Sequence, residues 1–265
     1  MQKTYQSTLQ VETKPKDVLE DARNLMKRAE YDKAYDLIED DSSIEALKLK
    51  SDILVSLKDY KKALKCLDDA IAIDDNDDLQ KRKAEVLYRW AKVTYFPEAN
   101  FYRALNLIEK ALEIIPDGDD SLEYWFLKGE ILQSLESHVE ARKCFLIAEE
   151  RLDELQILEN ELEIFEAHKN DVLINVTGTN FYQGLEVFKK GTVLRLERDE
   201  QNEHDPDAIA CHIGDEIVGY VANSEYTLIN DVKSASDIRG MVTENTTAEV
   251  LLIFQNEFVI AKVNI

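Results

Sequence analysis

The chain has 265 residues, with 54 acidic against 32 basic side chains, a net charge of −22 and 45% hydrophobic residues. The charge repels phosphate backbones and anionic lipid, which disfavours general duplex binding, and the apolar share is too high for a disordered chain. A length near two domains, with only 8 glycines and 4 prolines, points to a largely helical protein and against a loop-rich all-β one. No stretch of about 18 apolar residues occurs and the N-terminus has no apolar core of the signal-peptide kind, so a soluble, cytoplasmic protein is expected. Cys66, Cys144 and Cys211 are far apart and form no CxxC pair. They are expected to be packing residues, without a disulfide framework or zinc ribbon.

Along residues 1–15 the alternation of Tyr5, Ser7, Leu9 and Val11 hints at a strand. From 16 to 169 apolar residues recur at three- and four-residue spacings, as in Leu122, Trp125, Phe126, Gly129, Leu132 and Leu135, which predicts helices throughout. The same offsets return along this stretch. Leu47, Ser51 and Leu54 precede Ala63, Leu67 and Ala70; Trp125, Gly129 and Leu132 precede Ala141, Phe145 and Ala148. A third copy supplies Ala104, Ile108, Ala111 and Pro116, and a weaker first copy Val18, Ala22, Leu25, Ala34 and Ile38.

Small residues at these offsets let two antiparallel helices approach, while large ones fill the seam between pairs. The arrangement resembles the tetratricopeptide repeat over roughly residues 16 to 150. Ala34, Ala63, Ala104 and Ala141 are separated by 29, 41 and 37 residues, so the copies are degenerate. The excess in the third copy falls at 94–101, read as a longer loop between its helices. Leu152, Leu155, Leu158, Leu162 and Phe165 then mark an amphipathic helix, expected to cap the array. A coiled-coil seam is the alternative, with fewer than three heptads to sustain it.

Beyond Asn170 the pattern becomes β-branched and alternating, which places a domain boundary at 169–171. Neither side of it is basic: residues 1–169 carry 25 basic and 38 acidic side chains, and 170–265 carry 7 and 16. Strands are predicted ending at Val176–Thr179, over Thr192–Arg198, through Ile209, over Ile217–Val221, over Ala248–Phe254 and over Phe258–Ile265. A short helix is predicted over Ser224–Lys233. Six short strands and a helix in this length imply a small barrel. The fold class is therefore α+β: an all-α solenoid of antiparallel helix pairs followed by a β-barrel.

Three ordered motifs lie within this module: Val-x-Gly-Thr-x-Phe-Tyr-x-Gly from Val176, Leu-x-Arg-Asp-x-x-Asn-x-x-Asp-Pro-x-Ala-Ile ending at Ile209, and Ile-Val-Gly-Tyr-Val ending at Val221. Together they resemble the HIRAN domain, which occurs alone in prokaryotes and at the N-terminus of some DNA-repair helicases. The resemblance implies an OB-like barrel that holds the 3′ end of single-stranded DNA, with aromatics on the terminal bases and a polar pocket for the free 3′-hydroxyl. Carried onto this sequence, it implies DNA-binding roles for Asn180, Phe181, Tyr182, Asn202, His204, Asp205, Tyr220 and Asn223.

Phe181 and Tyr182 are placed to stack on bases, and Asp205 to accept from a 3′-hydroxyl while repelling a 3′-phosphate. The chain also departs from the family. Asn180 stands where an arginine can occur, His204 where a tyrosine can sit, and Asn223 where a lysine can contact phosphate. Each change removes charge or stacking area, and weak binding at physiological salt follows. Simpler roles are open for the same residues: Asp205-Pro206-Asp207 is also a natural turn, and at least one of Phe181 and Tyr182 should be buried.

Catalytic and metal chemistry find little support. Asp74, Asn76, Asp78 and Glu85 fit four positions of a calcium loop, but Leu79 occupies its glycine position. His204, Asp205 and His212 are one further grouping, without a ligand spacing. No nucleophile, phosphate-loop or paired-carboxylate motif stands out, so neither enzymatic activity nor a cofactor is expected. The inner face of the repeats is expected to hold a protein or peptide partner, with Lys48, Asp52, Tyr88, Lys92 and Lys128 as candidate contacts. The leading expectation is a non-enzymatic adaptor joining a protein partner to 3′-ended DNA, with a purely protein-binding scaffold as the alternative.

Overall fold

The computed structural model describes residues 17–264. The strand hinted at Tyr5–Val11 lies outside the described residues. The described residues form two compact units, the first ending at Arg151 and the second beginning at Leu152.

The first unit is helical: α1 (Val18–Lys27), α2 (Tyr31–Ile38), α3 (Ile44–Ser56), α4 (Tyr60–Ile73), α5 (Asp77–Tyr95), α6 (Phe101–Ile114), α7 (Asp119–Ser134) and α8 (His138–Ala148). The starts are written in the sequence. The side chains of Asp17, Ser43, Asp59, Asn76 and Asn100 each accept from a backbone N–H of the first turn that follows. Each such cap is worth about 1 kcal/mol.

The small residues sit where the repeat pattern puts them. Ala22, Ala34, Ala63, Ala70, Ala104 and Ala111 are fully buried, at 0% exposure, because a larger side chain there would force the paired helices apart. Gly129 shows how tight the contact is: a Cβ built on it would lie 2.6 Å from the Phe145 ring. Lys50 is also buried, and its ammonium donates to the backbone carbonyls of Glu39 (2.5 Å) and Asp41 (2.7 Å). A polar bond thus fastens α3 to the C-terminal end of α2.

The longer loop expected at 94–101 is corrected. Thr94 and Tyr95 complete α5, which runs for 19 residues, and only Phe96–Asn100 separate it from α6. Most of the extra length is therefore helix. Thr94 faces the interior at 0% exposure, and its burial favours continuing the helix over opening a solvated loop. No helix of the described residues is long and apolar enough to cross a membrane.

The second unit opens with α9 (Leu152–Ala167), the helix expected to cap the repeats. Here it packs on the barrel: Phe165 meets Phe254 edge-on at 5.2 Å, and Glu161 accepts from the Gln255 N–H. The unit division thus falls before α9, earlier than the boundary expected at 169–171. The strands are β1 (Leu173–Thr177), β2 (Val193–Arg198), β3 (Ile209–Ile213), β4 (Glu216–Val221), β5 (Thr247–Phe254) and β6 (Phe258–Asn264). All pair antiparallel and close into a barrel of order β1-β4-β3-β2-β5-β6. Ile174, Leu194, Leu196, Ile209, Val218 and Val259 fill or line its interior at no more than 1% exposure.

The helix expected over Ser224–Lys233 is corrected to α10 (Ala235–Ile238), continued by a 3₁₀ turn to Met241. Asp231 has a left-handed backbone (φ 64°), which a continuous helix does not allow. The start is set instead by Ser234 and Asp237, each side chain accepting from the other's backbone N–H.

Candidate functional site

Five of the eight sequence-predicted residues of the barrel share one cleft of about 350 Å³, at the end of β4 and under the loop that leads from β2 to β3. Asn202, His204, Asp205, Tyr220 and Asn223 line it. Asn180, Phe181 and Tyr182 lie outside the lining, on the 3₁₀ turn Thr179–Phe181 and just after it. Gly178, at φ +74°, makes the reversal that aims this turn outward; an L side chain there would be strained. Phe181 is 90% exposed and Tyr182 42%. The expectation that one of the adjacent pair is buried is therefore corrected: the 3₁₀ turn breaks the strand alternation on which it rested. Tyr182 is still tied to the cleft, its ring 6.2 Å from that of Tyr220.

Hydrogen bonds hold the cleft in two tiers. In the first, the Asn202 carbonyl oxygen accepts from the backbone N–H groups of His204 and Asp205, both at 3.0 Å, while its amide donates to Asp199 (3.1 Å). Asp199 also accepts from the Tyr220 hydroxyl at 3.0 Å. These donors hold the Asp199 carboxyl below its ordinary range, the Asn202 bond first. Burial, followed by the bond to Asp199, pushes the Tyr220 phenol well above its usual range, so it stays a neutral donor.

In the second tier Asp205 accepts from the Asp207 N–H (2.9 Å) and from the Asn223 amide, at 3.1 and 2.9 Å to its two oxygens. The turn role and a ligand role are compatible here. A carboxylate offers about four acceptor positions and these contacts use three. Asn223 is held in turn, its carbonyl oxygen accepting from the Ser236 N–H at 2.9 Å. No Lys or Arg is among the residues lining this cleft. Its one formal charge is that of Asp205, which favours an incoming hydroxyl donor and repels a terminal phosphate.

Three contributors escaped the sequence reading. Asp199 was legible, because it is part of the Leu-x-Arg-Asp motif, but Ser236 comes from the distant α10 and only the fold brings it here. Tyr226 is 89% exposed in the turn between the lining residues Ser224 and Thr227. His212 does not join His204 and Asp205: it is buried in β3 against Glu197, while His204 lies exposed in the loop. Among the described residues no group of three or more His, Cys, Asp or Glu is arranged to hold a metal ion.

In the repeat unit a second cleft, of about 670 Å³, runs along α3, α5 and α7. Of the five expected partner contacts only Asp52 lines it. Lys48 lies beside it, paired with Asp78 at 2.9 Å, which holds its ammonium above the ordinary range. Tyr88 donates to Glu123 at 3.1 Å and stacks on Tyr124, with Lys92 over its ring. Lys128 pairs with Glu109 and covers Trp125. The lysines expected to face a ligand are thus engaged within the fold. Arg82, Glu85, Glu123 and Tyr124 take their place in the cleft. The spacing of Asp78, Arg82, Glu85 and Arg89, 4, 3 and 4 residues, already put them on one helix face.

Two family models match the chain: the HIRAN domain over residues 169–251 and the tetratricopeptide repeat over residues 44–77. The first takes in both tiers of the barrel cleft, and the second is the α3–α4 pair. No curated protein matches the chain. Similar solved structures include the MamA RS-1 ArsTM double mutant, 19% identical, covering 50% of this chain and 72% of that one with a TM-score of 0.37. A crystal structure of MamA is 19% identical over 52% and 77%, TM-score 0.37. MamA 41-end from Desulfovibrio magneticus RS-1 is 16% identical over 51% and 94%, TM-score 0.28. Likeness at that level carries no functional inference.

Proposed function

We propose that the chain is a binding adaptor without catalysis of its own: the helical repeats hold a protein partner, and the barrel holds the 3′ end of single-stranded DNA, in DNA repair or processing. The observation that carries the DNA half is the pairing of one carboxylate, Asp205, held by Asn223 in a cleft lined without Lys or Arg, with an aromatic ring, Phe181, standing 90% exposed on the neighbouring turn. Such a site takes a terminal sugar by its hydroxyl and a base by its face, and it needs few phosphate contacts. The matches to a HIRAN domain and a tetratricopeptide repeat support a division of labour between two binding modules.

The test is fluorescence anisotropy of the full chain, at low salt, with a labelled single-stranded oligonucleotide ending in 3′-hydroxyl or 3′-phosphate. Tighter binding of the hydroxyl end, lost in Asp205→Ala, is the expected result. Equal binding of both ends removes the end-reading role, and no binding of either removes the DNA role altogether.

A second reading has its own observation. With 7 basic against 16 acidic side chains from 170 to 265, the barrel has little to neutralise a phosphate backbone with. If neither oligonucleotide binds, the chain is a protein-binding scaffold whose barrel serves another surface.

A further inference from the structure

The repeat cleft is short of positive charge, and this defines the chemistry of its partner. Six carboxylates line it, those of Asp52, Asp78, Glu85, Asp119, Asp120 and Glu123, against three cations, Lys81, Arg82 and Arg89. Each cation is already committed: Arg82 to Asp52 and Asp78, Arg89 to Glu85 at 2.6 Å, and Lys81 to Asp120 at 3.2 Å. Glu123 is met by a neutral partner, the Tyr88 hydroxyl. The carboxylates also lie on successive inner helices, Asp52 on α3, Glu85 on α5 and Glu123 on α7, so the surplus runs across the array.

Two further observations mark the cleft as under-compensated. Ser51, a lining residue only 1% exposed, has a hydroxyl with no hydrogen-bond partner. A buried hydroxyl left unpaired costs free energy until a neighbour shifts or a ligand group arrives. The Asp52 carboxyl is held above its ordinary range by burial, although Arg82 opposes this. A cation entering the cleft would oppose that shift.

We infer that the α3-α5-α7 cleft binds an extended, cationic peptide segment of a partner protein, with Asp52, Glu85 and Glu123 receiving successive Lys or Arg side chains. This rests on the reading that the repeats hold a protein partner, and it names the chemistry of that partner. Adjacent packed helices lie about 8–10 Å apart and an extended chain rises about 3.3 Å per residue, so the cations should recur at about every third residue.

The experiment titrates the full chain with three labelled twelve-residue peptides: one with arginine at every third position, one with the same arginines clustered at an end, and one with glutamate in their place. The expected order is spaced arginine first, clustered arginine weaker, glutamate absent. Asp52→Asn combined with Glu123→Gln should weaken the spaced peptide by about tenfold or more. The matched pair Glu113→Gln and Glu150→Gln, which removes the same charge outside the cleft lining, should change it little.

Equal loss in both double variants means that the net charge attracts the peptide non-specifically, and the inference falls. Binding of the glutamate peptide that Tyr124→Ala abolishes also overturns it, while leaving the repeats a peptide-binding surface. If the wild-type chain binds none of the three, the inference and the reading beneath it both fail. Unchanged circular dichroism and melting of the variants establish that a loss is not unfolding.

Discussion

Asn223 donates its side-chain amide to both carboxylate oxygens of Asp205, at 3.1 and 2.9 Å, while its own carbonyl oxygen accepts from the Ser236 N–H. One amide thus links the β2–β3 loop, the end of β4 and the first turn of α10. Asn223→Ala removes these bonds at a half-exposed site where water can replace them, and should cost about 0.5–1.5 kcal/mol. Hydrogen exchange reads it directly: the Ser236 amide should exchange faster in the variant, while amides of the repeat unit keep their wild-type rates. Unchanged Ser236 exchange would show that the bridge contributes nothing.

Phe181 separates binding from stability. At 90% exposure its ring stabilises the fold little, so Phe181→Ala should stay within about 0.5 kcal/mol of wild type on unfolding. If a base stacks there, oligonucleotide affinity falls by about 1–3 kcal/mol, or roughly 5- to 150-fold. Anisotropy titration of both proteins decides it.

Gly129→Ala tests the helix contact of the α7–α8 pair. The new Cβ would meet the Phe145 ring at 2.6 Å, and overpacking of this kind costs about 1–3 kcal/mol. Thermal melting should show the loss, and adding Phe145→Leu should recover part of it. A melt as high as wild type would mean that the ring moves aside freely.

His212 gives the barrel a pH response. Burial holds its imidazole pKa below 6.5, helped by Arg195 and opposed by Glu197 and Asp215. The unfolded chain therefore binds this proton more readily than the folded one, and stability falls as pH drops from about 6.5 toward the lower folded value. His212→Gln should flatten that part of the stability profile. Urea unfolding between pH 7 and 5 checks it, with the separate loss from Glu197, whose pKa is lowered by Arg195, appearing only below 4.5.

The three thiols should react in order of access. Cys66 is partly exposed, though burial raises its thiol too; Cys144 and Cys211 are buried, which raises their thiols to about 11 and about 12. A thiol reagent under native conditions should label Cys66 first and Cys211 only after the barrel opens. Mass spectrometry of the labelled peptides reads the sequence of events.

The helix pairs and the six strands were legible because each leaves a period: buried alanines at 22, 34, 63 and 104, or β-branched alternation around Leu194 and Leu196. What escaped depends on contacts between distant segments. The length of α5 turns on the burial of Thr94, and the side chosen by α9 turns on Phe165 finding Phe254. At the barrel cleft Asn202, His204, Asp205 and Tyr220, carried by two of the local motifs, line one pocket, whereas Asn180, Phe181 and Tyr182 of the other lie outside it, and Ser236 could not be placed before α10 was. In the repeats the helix faces were readable and the ion pairs across them were not, so Lys48 and Lys128 read as ligand contacts when each is paired with a carboxylate of its own fold.

Both tryptophans, Trp90 and Trp125, lie in the repeat unit, where Arg103 sits 4.9 Å from the Trp90 ring centre and Trp125 donates its indole N–H to the Pro116 carbonyl at 3.0 Å. The barrel unit has none, so the two halves are optically distinct. Indole emission is a private reporter of the repeats, silent to events confined to the barrel. A shift in that emission when an oligonucleotide is added would be a direct optical sign of communication between the units.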